Sequence, residues 1–254
     1  MRKLDYQFEI DKLVKFFQSF TRSNGFSKLI IGLSGGIDSA LSATLAVKAI
    51  GKENVYGVML PYKNSSPDSL KDAQAVAEWL GMRSEIIEIT KFVDSYFEIF
   101  EPNADRLRQG NWMARARMCV LYDLSSKYNA LVIGTGNRTE LEVGYCTQYG
   151  DSACAFEPLG NLYKSEVWEM SRILGIPEQV INKAPTADLW DDQTDEGELG
   201  MSYARLDLIL YNLYELDKNT EQIVAEGFTV EEIKSVIKLY KNSAFKRRMP
   251  PTPE

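Results

Sequence analysis

Apolar and polar positions along this chain follow two periods, and the change from one to the other predicts the elements. Leu29 to Leu33 is a continuous apolar run of strand length that halts at Ser34-Gly35-Gly36; from Ile37 to Ile50 the apolar residues return at helical spacing. The same sequence of events repeats. Val55 to Leu60 reads as a strand closed by Pro61, Ser69 to Leu80 as a helix, and Arg83 to Ile89 as a third strand buried on both faces. Helices follow over 92–100 and 105–128, the second with a start signal near Gly110-Asn111, and Ala130 to Gly134 reads as a fourth strand. Strands alternating with helices in this order predict an α/β fold, a parallel twisted sheet with helices on both faces and its ligand at the carboxyl ends of the strands.

Residues 2–20 place Leu4, Phe8, Leu13, Phe16, Phe17 and Phe20 near a 3.6-residue period, an amphipathic helix expected to pack on the sheet or on another subunit. Helices are also predicted over 164–174, 203–216, 221–226 and 230–241. Two stretches lack periodicity: Gln148 to Pro158, and Ala184 to Leu199 with its acidic residues crowded between Asp191 and Glu198. A long aperiodic stretch inside a compact domain reads as a lid or binding loop, or else as a plain surface turn. The expected organisation is one domain over 1–254 with helical extensions at 1–24 and 200–245.

Charge and composition then narrow the chemistry. A formal net charge of −7 argues against a nucleic-acid partner. No apolar run reaches membrane-spanning length, and the N-terminus alternates charge with aromatics, so no membrane association and a cytoplasmic location are expected. Cys119, Cys146 and Cys154 form no C-x-x-C pair and read as small buried side chains, not as a zinc or iron–sulfur site. The chain has no histidine. Its chemistry therefore rests on carboxylates, lysine, arginine, hydroxyls, backbone N–H groups and a hard cation.

The turn at Ser34-Gly35-Gly36 has the make-up of an anion site. The first N–H groups of the helix after it lack partners and carry the positive end of the helix dipole. Glycine opens the backbone to a ligand, and Ser34 and Ser39 add hydroxyls. Asp38 beside a polyphosphate needs a cation between them, which suits magnesium; its plainer role is to complement the dipole. The sequence G-x-x-x-x-G-K-[ST] is absent.

Ser34-Gly35-Gly36-Ile37-Asp38-Ser39 resembles the S-G-G-x-D-S loop of the N-type ATP pyrophosphatases, which cleave ATP between its α and β phosphates. Residues 134–151 (G-T-G-N-R-T-E-L-E-V-G-Y-C-T-Q-Y-G-D), Pro185 to Leu189, and Asp195-Glu196 to Leu199-Gly200 narrow the resemblance to the ammonia-dependent NAD synthetases. It runs from about residue 8 to Lys246-Arg247. The resemblance implies an adenine nucleotide alpha hydrolase-like, Rossmann-like sheet with added C-terminal helices. It further implies a homodimer with the dinucleotide at its interface, ATP and magnesium (Mg2+), and deamido-NAD and ammonia as substrates.

Carried over by residue, the resemblance implies that Gly32, Leu33, Ser34, Gly35, Gly36, Ile37, Asp38 and Ser39 hold the pyrophosphate of ATP, and that Thr135, Lys164 and Thr186 contact the rest of the nucleotide. Asp38 and Glu140 would share magnesium, Arg115, Gln148 and Lys246 would contact deamido-NAD, and Asp151 would receive ammonia. Each has a plainer role as well: Glu140 as a helix-dipole partner, Lys164 and Lys246 as solvated charges, Thr186 as a turn cap, and one of Arg115 and Arg117 as structural. The chain departs from the family where Phe245-Lys246 replaces a His-Lys pair, and where Gln148 and Ala155 stand in place of a lysine and an aspartate. The implied reaction joins ammonia to the nicotinate carboxyl after its activation as an acyl-adenylate. Two alternatives are another N-type ligase, such as a tRNA-thiolating one, and an ATP-binding sensor without chemistry. The pairing of Asp38 with Glu140 separates the last of these, because a mere binder needs no second carboxylate.

Overall fold

The computed structural model describes residues 1–190 and 192–253, so Asp191 of the acidic stretch lies outside the described residues. Helix α1 (Tyr6–Ser23) starts on Asp5, whose carboxylate accepts the Phe8 N–H, and ends at Asn24. It leads to β1 (Lys28–Gly32), α2 (Ile37–Ile50), β2 (Val55–Met59), α3 (Pro67–Leu80) and β3 (Arg83–Ile86). Then come α4 (Thr90–Phe100), α5 (Arg106–Tyr128), β4 (Ala130–Val132) and α6 (Arg138–Val143). The last part holds α7 (Lys164–Ile173), α8 (Glu178–Ile181), α9 (Asp195–Leu199), α10 (Tyr203–Tyr214), α11 (Thr220–Val224) and α12 (Val230–Asn242).

The strands form a parallel sheet in the order β3-β2-β1-β4, with Leu29 opposite both Val55 and Leu131. The chain moves outward from β1 to β3 and then returns through α4 and α5 to the other side of β1. That reversal opens a crevice at the carboxyl ends of β1 and β4. Apolar side chains cover both faces. Leu29 and Ile31 pack with α1, α2 and α7, while Ile30, Val58 and Val132 pack with α4 and α5. A second cluster gathers α10, α11 and α12 around Tyr203, Leu206 and Ile233. The α/β expectation with C-terminal helices is met.

Four expectations change. The stretch Ala184 to Leu199 is not aperiodic throughout: Asp195–Leu199 forms α9, too short for a period to register, on the N-cap Thr194. The third strand is shorter than Arg83 to Ile89 and largely exposed, because it is the sheet edge with only β2 beside it; Ile89 instead closes against the core at the start of α4. Helix α5 fills the predicted 105–128, but its start is the N-cap Asp105, which accepts the Arg108 N–H, and not Gly110-Asn111. Gly110 is an interior residue on which the loop at Leu189 and Trp190 rests, so close that a Cβ would lie 3.0 Å from Leu189. The cysteines are not all buried, since Cys119 is exposed. No helix of the described residues is long and apolar enough to cross a membrane.

Candidate active site

At the end of β1 the chain makes the expected turn. Gly35 takes φ +78°, and a Cβ there would fall 2.1 Å from the Ser69 carbonyl of α3, so only glycine fits. Gly36 is the N-cap of α2 and supplies no side-chain cap, which leaves the first N–H groups of a 14-residue helix facing the crevice. The Ser34 and Ser39 hydroxyls lie 3.1 Å apart, and Ser39 also donates to the Gly36 carbonyl, so these hydroxyls shape the loop.

Asp38 sits in the first turn of α2 and meets two residues from beyond β4. Lys164 Nζ lies 2.5 Å from Asp38 Oδ2 and 3.5 Å from Glu140 Oε1, and Asn137 donates to Asp38 Oδ1 at 2.9 Å. Asn137 and Glu140 in turn cap the start of α6 reciprocally. Burial, with the Asp38 charge second, holds Glu140 well above the ordinary carboxylate range. Burial lowers the pKa of Lys164, but Asp38 and Glu140 outweigh it and the net shift is upward, so the ammonium stays charged.

The position of Lys164 is braced from behind. It is the first residue of α7, where a cation opposes the helix dipole. Its backbone N–H donates to Thr139 Oγ1, which donates to Asp207; the other Asp207 oxygen accepts both the N–H and the hydroxyl of Ser165. This buried carboxylate on α10 fixes α6 and α7 against each other. Asp195 of α9, also buried, approaches the same lysine and accepts hydroxyls from Tyr145 and Tyr203 at 3.1 and 3.0 Å. Neither Asp207 nor Tyr145 stands out in the sequence, where each reads as an ordinary helix or loop position.

Two connected cavities lie over these groups. The smaller, about 160 Å³, is lined by the Ser34 loop, Asp38, Glu140, Lys164, Lys183 and Asp195. The larger, about 580 Å³, reaches from Gly32, Leu33 and Ser34 past Leu60 and Met118 to Asp151 and Lys246. Thr135, Asp151 and Thr186 line both. Asp151 is open to the cavities while its carboxyl sits among protein atoms; burial raises its pKa, and it accepts the Thr147 N–H at 2.8 Å. Lys246 lies at the far wall, its ammonium 2.7 Å from the carbonyls of Gly144 and Cys146, whereas Phe245 is exposed.

The arginines part as helix geometry requires. Arg115 is exposed, outside both cavity linings, and donates to the Gln148 carbonyl at 3.2 Å. Arg117 faces the larger cavity and donates to the Leu60 carbonyl, where burial lowers its pKa. The sequence-predicted residues thus gather around the crevice, with Gly35, Arg115 and Gln148 outside the cavity walls.

Comparison with known proteins is direct. Residues 9–250 match the family model described as NAD synthase. The NH(3)-dependent NAD(+) synthetase of Fusobacterium nucleatum subsp. nucleatum is 50% identical over 252 residues, spanning 98% of this chain and 97% of that protein. A solved NMN synthetase from Francisella tularensis aligns with a TM-score of 0.88 at 32% identity, covering 99% of each chain. The NH3-dependent NAD synthetase from Campylobacter jejuni, solved with a nitrate ion, aligns with a TM-score of 0.85 at 35% identity, covering 99% of this chain and all of that one.

Proposed function

The chain belongs to the NAD synthase family, and from that premise we propose how it works: residues 1–254 form one synthetase unit that activates a nicotinate carboxyl with ATP in the crevice between β1 and β4 and amidates it with ammonia. The overall reaction is deamido-NAD, ATP and ammonia to NAD, AMP and pyrophosphate. The observation that carries the residue assignment is the convergence of Asp38, Glu140 and Lys164, from three distant parts of the chain, at the uncapped start of α2.

A carboxylate resists ammonia because its leaving group would be an oxide. In the first step a nicotinate carboxylate oxygen attacks the α-phosphorus of ATP and pyrophosphate departs. Negative charge grows on the leaving group, and the N–H groups opening α2 and the Lys164 ammonium stabilise it there. In the second step ammonia attacks the acyl carbon and AMP leaves. Asp151, with a carboxyl pKa raised by burial, is placed to accept the proton that the nitrogen loses. The 184–199 segment and residues 148–156 exclude water from the adenylate, which hydrolysis would otherwise destroy.

The donor set fits magnesium. Two hard carboxylates, Asp38 and Glu140, crowd a single ammonium, and burial with the Asp38 charge raises the Glu140 pKa; a divalent cation held there would relieve that crowding. Asp38 and Glu140 would hold it, and when bound it supplies neutralisation of phosphate charge.

A homodimer is also part of this reading, through a different face from the one the aromatic N-terminal helix suggests. Helix α1 is already partnered within the chain: Ile10 and Phe17 are buried, and Phe16, Phe17 and Phe20 pack on Phe156. Phe8 of α1 stays exposed, as do Ile99, Phe100 and Leu107 on α4 and α5, each about two-thirds exposed; of these Leu107 borders the larger cavity. A second copy on that face would cover apolar surface and wall the dinucleotide site together. The free thiols and acidic surface suit a cytoplasmic enzyme.

The test is to incubate the protein with ATP, magnesium, ammonium and either deamido-NAD or nicotinate mononucleotide. NAD and AMP forming in equal amounts is the expected result. ADP as product, or no nucleotide turnover, would overturn the reading. A preference of more than about tenfold for the mononucleotide would move the substrate toward that of the NMN synthetase it resembles.

A further inference from the structure

The smaller cavity has a second lysine that the reaction as described leaves unused. Lys183 follows α8 and opens the aperiodic 184–194 segment. Its Nζ lies 3.0 Å from Ser69 Oγ and 3.0 Å from Asp72 Oδ2, both on α3. The carbonyl of that same Ser69 lies against Gly35 of the phosphate loop, so Lys183 stands beside the loop, and it lines the cavity together with Gly36, Asp38 and Ser39.

Charge shows why this matters. Among the described residues lining the cavity, Lys164 and Lys183 are the cations, facing the carboxylates of Asp38, Glu140, Asp151, Asp188 and Asp195. Lys164 is buried and held between Asp38 and Glu140. Among the described residues Lys183 has one carboxylate partner, in a pair that retains access to water on both sides, with side chains 21% and 14% exposed. A lysine ammonium has three rotatable donors, so it can keep Ser69 and exchange Asp72 for a phosphate oxygen.

We propose that Lys183 is a pyrophosphate-binding residue: it leaves Asp72 for the outer phosphates of ATP and, with Lys164, holds the departing pyrophosphate in the smaller cavity. The exchange would tie the 184–199 segment to phosphate occupancy, because Lys183 is the residue at its base and Asp188 within it accepts the Ser66 N–H that opens α3. The assignment rests on the synthetase reading, but its test does not depend on turnover.

Calorimetric binding of magnesium pyrophosphate and, separately, of AMP is measured for the wild type, Lys183→Met and Asp72→Asn. Losing a charge-assisted contact is expected to weaken pyrophosphate binding by about tenfold or more in Lys183→Met. AMP, which lacks the outer phosphates, is expected to bind within about twofold of wild type. Asp72→Asn, which removes the competing anion, is expected to bind pyrophosphate at least as tightly as wild type. Unchanged pyrophosphate binding in Lys183→Met would overturn the proposal, as would an equal loss of AMP binding. So would a loss in Asp72→Asn matching that of Lys183→Met, since the pair would then be a strut. Failure of the wild type to form AMP from ATP and deamido-NAD would instead count against the synthetase reading and leave the comparison of pyrophosphate affinities intact.

Discussion

Replacing Glu157 by glutamine asks whether the turn after β4 rests on a carboxyl that holds its proton well above the ordinary carboxylate range. Glu157 lies beneath that turn: its Oε2 accepts the Gly136 N–H at 2.9 Å, and a Cβ on Gly134 would fall 2.3 Å from the same oxygen. Burial pushes its pKa up to about 7 from an ordinary 4.5, while Cys154 and the Gly136 N–H pull it down. Below about pH 4.5 the folded and unfolded chains both hold the proton, and the site costs nothing. Between there and about pH 7 the unfolded chain ionises and the folded one does not, so stability falls with rising pH; above that the loss is constant. At about 1.4 kcal/mol per pH unit the full loss is about 3 kcal/mol. Glutamine does not titrate, yet its amide oxygen can still accept the Gly136 N–H. The stability of Glu157→Gln relative to wild type is therefore expected to rise by about 3 kcal/mol between pH 4.5 and pH 8. Urea unfolding at both pH values, at one protein concentration so that any dimerisation cancels, measures it. A difference that stays constant to within about 0.5 kcal/mol would refute the reasoning, because a carboxyl ionised in both states has no such pH dependence.

Asp38→Ala and Glu140→Ala are each expected to abolish AMP formation while circular dichroism keeps its wild-type form; near-normal turnover at low magnesium in either variant would remove the shared-metal assignment. Gly35→Ala forces a side chain at φ +78° to within 2.1 Å of the Ser69 carbonyl. It is expected to lower stability by about 1–3 kcal/mol and to cut AMP release by about a hundredfold or more, read from thermal melts and product assays. Arg115→Ala is expected to raise KM for deamido-NAD by about tenfold with stability unchanged to about 0.5 kcal/mol, whereas Arg117→Ala loses a buried guanidinium on the Leu60 carbonyl and about 2 kcal/mol of stability. The opposite ordering would make Arg117 the ligand.

How far the sequence could be read depended on whether a residue's role is local. The phosphate loop is a local object: an apolar strand, a glycine at positive φ and an uncapped helix follow one another within a dozen residues, so period and residue type reveal it. Helix α2 begins and ends where the pattern predicts, at Ile37 and Ile50. Glu140 and Lys164 were reachable only through resemblance, because the contact between Lys164 and Asp38 joins positions 126 apart and period carries no information at that range. Lys164 does leave one physical trace, a lysine placed first in a helix against the dipole.

Asp207, Glu157 and Lys183 leave no such trace, for the same reason in each case. On α10, Asp207 occupies a position where a carboxylate would ordinarily face water. It is buried because Thr139 and Ser165 bring three donors to it from two other helices. Burying that carboxylate without those donors would cost several kcal/mol. The three donors meet only when α6 and α7 pack against α10, so the chain satisfies the charge in the same event that sets Lys164 beside Glu140. Asp207 is therefore tied to the reaction through the orientation of α7, although it lines neither cavity. A carboxylate that reads as surface in the sequence thus carries the geometry of the site, and it becomes visible only when each buried polar atom is followed to its partner.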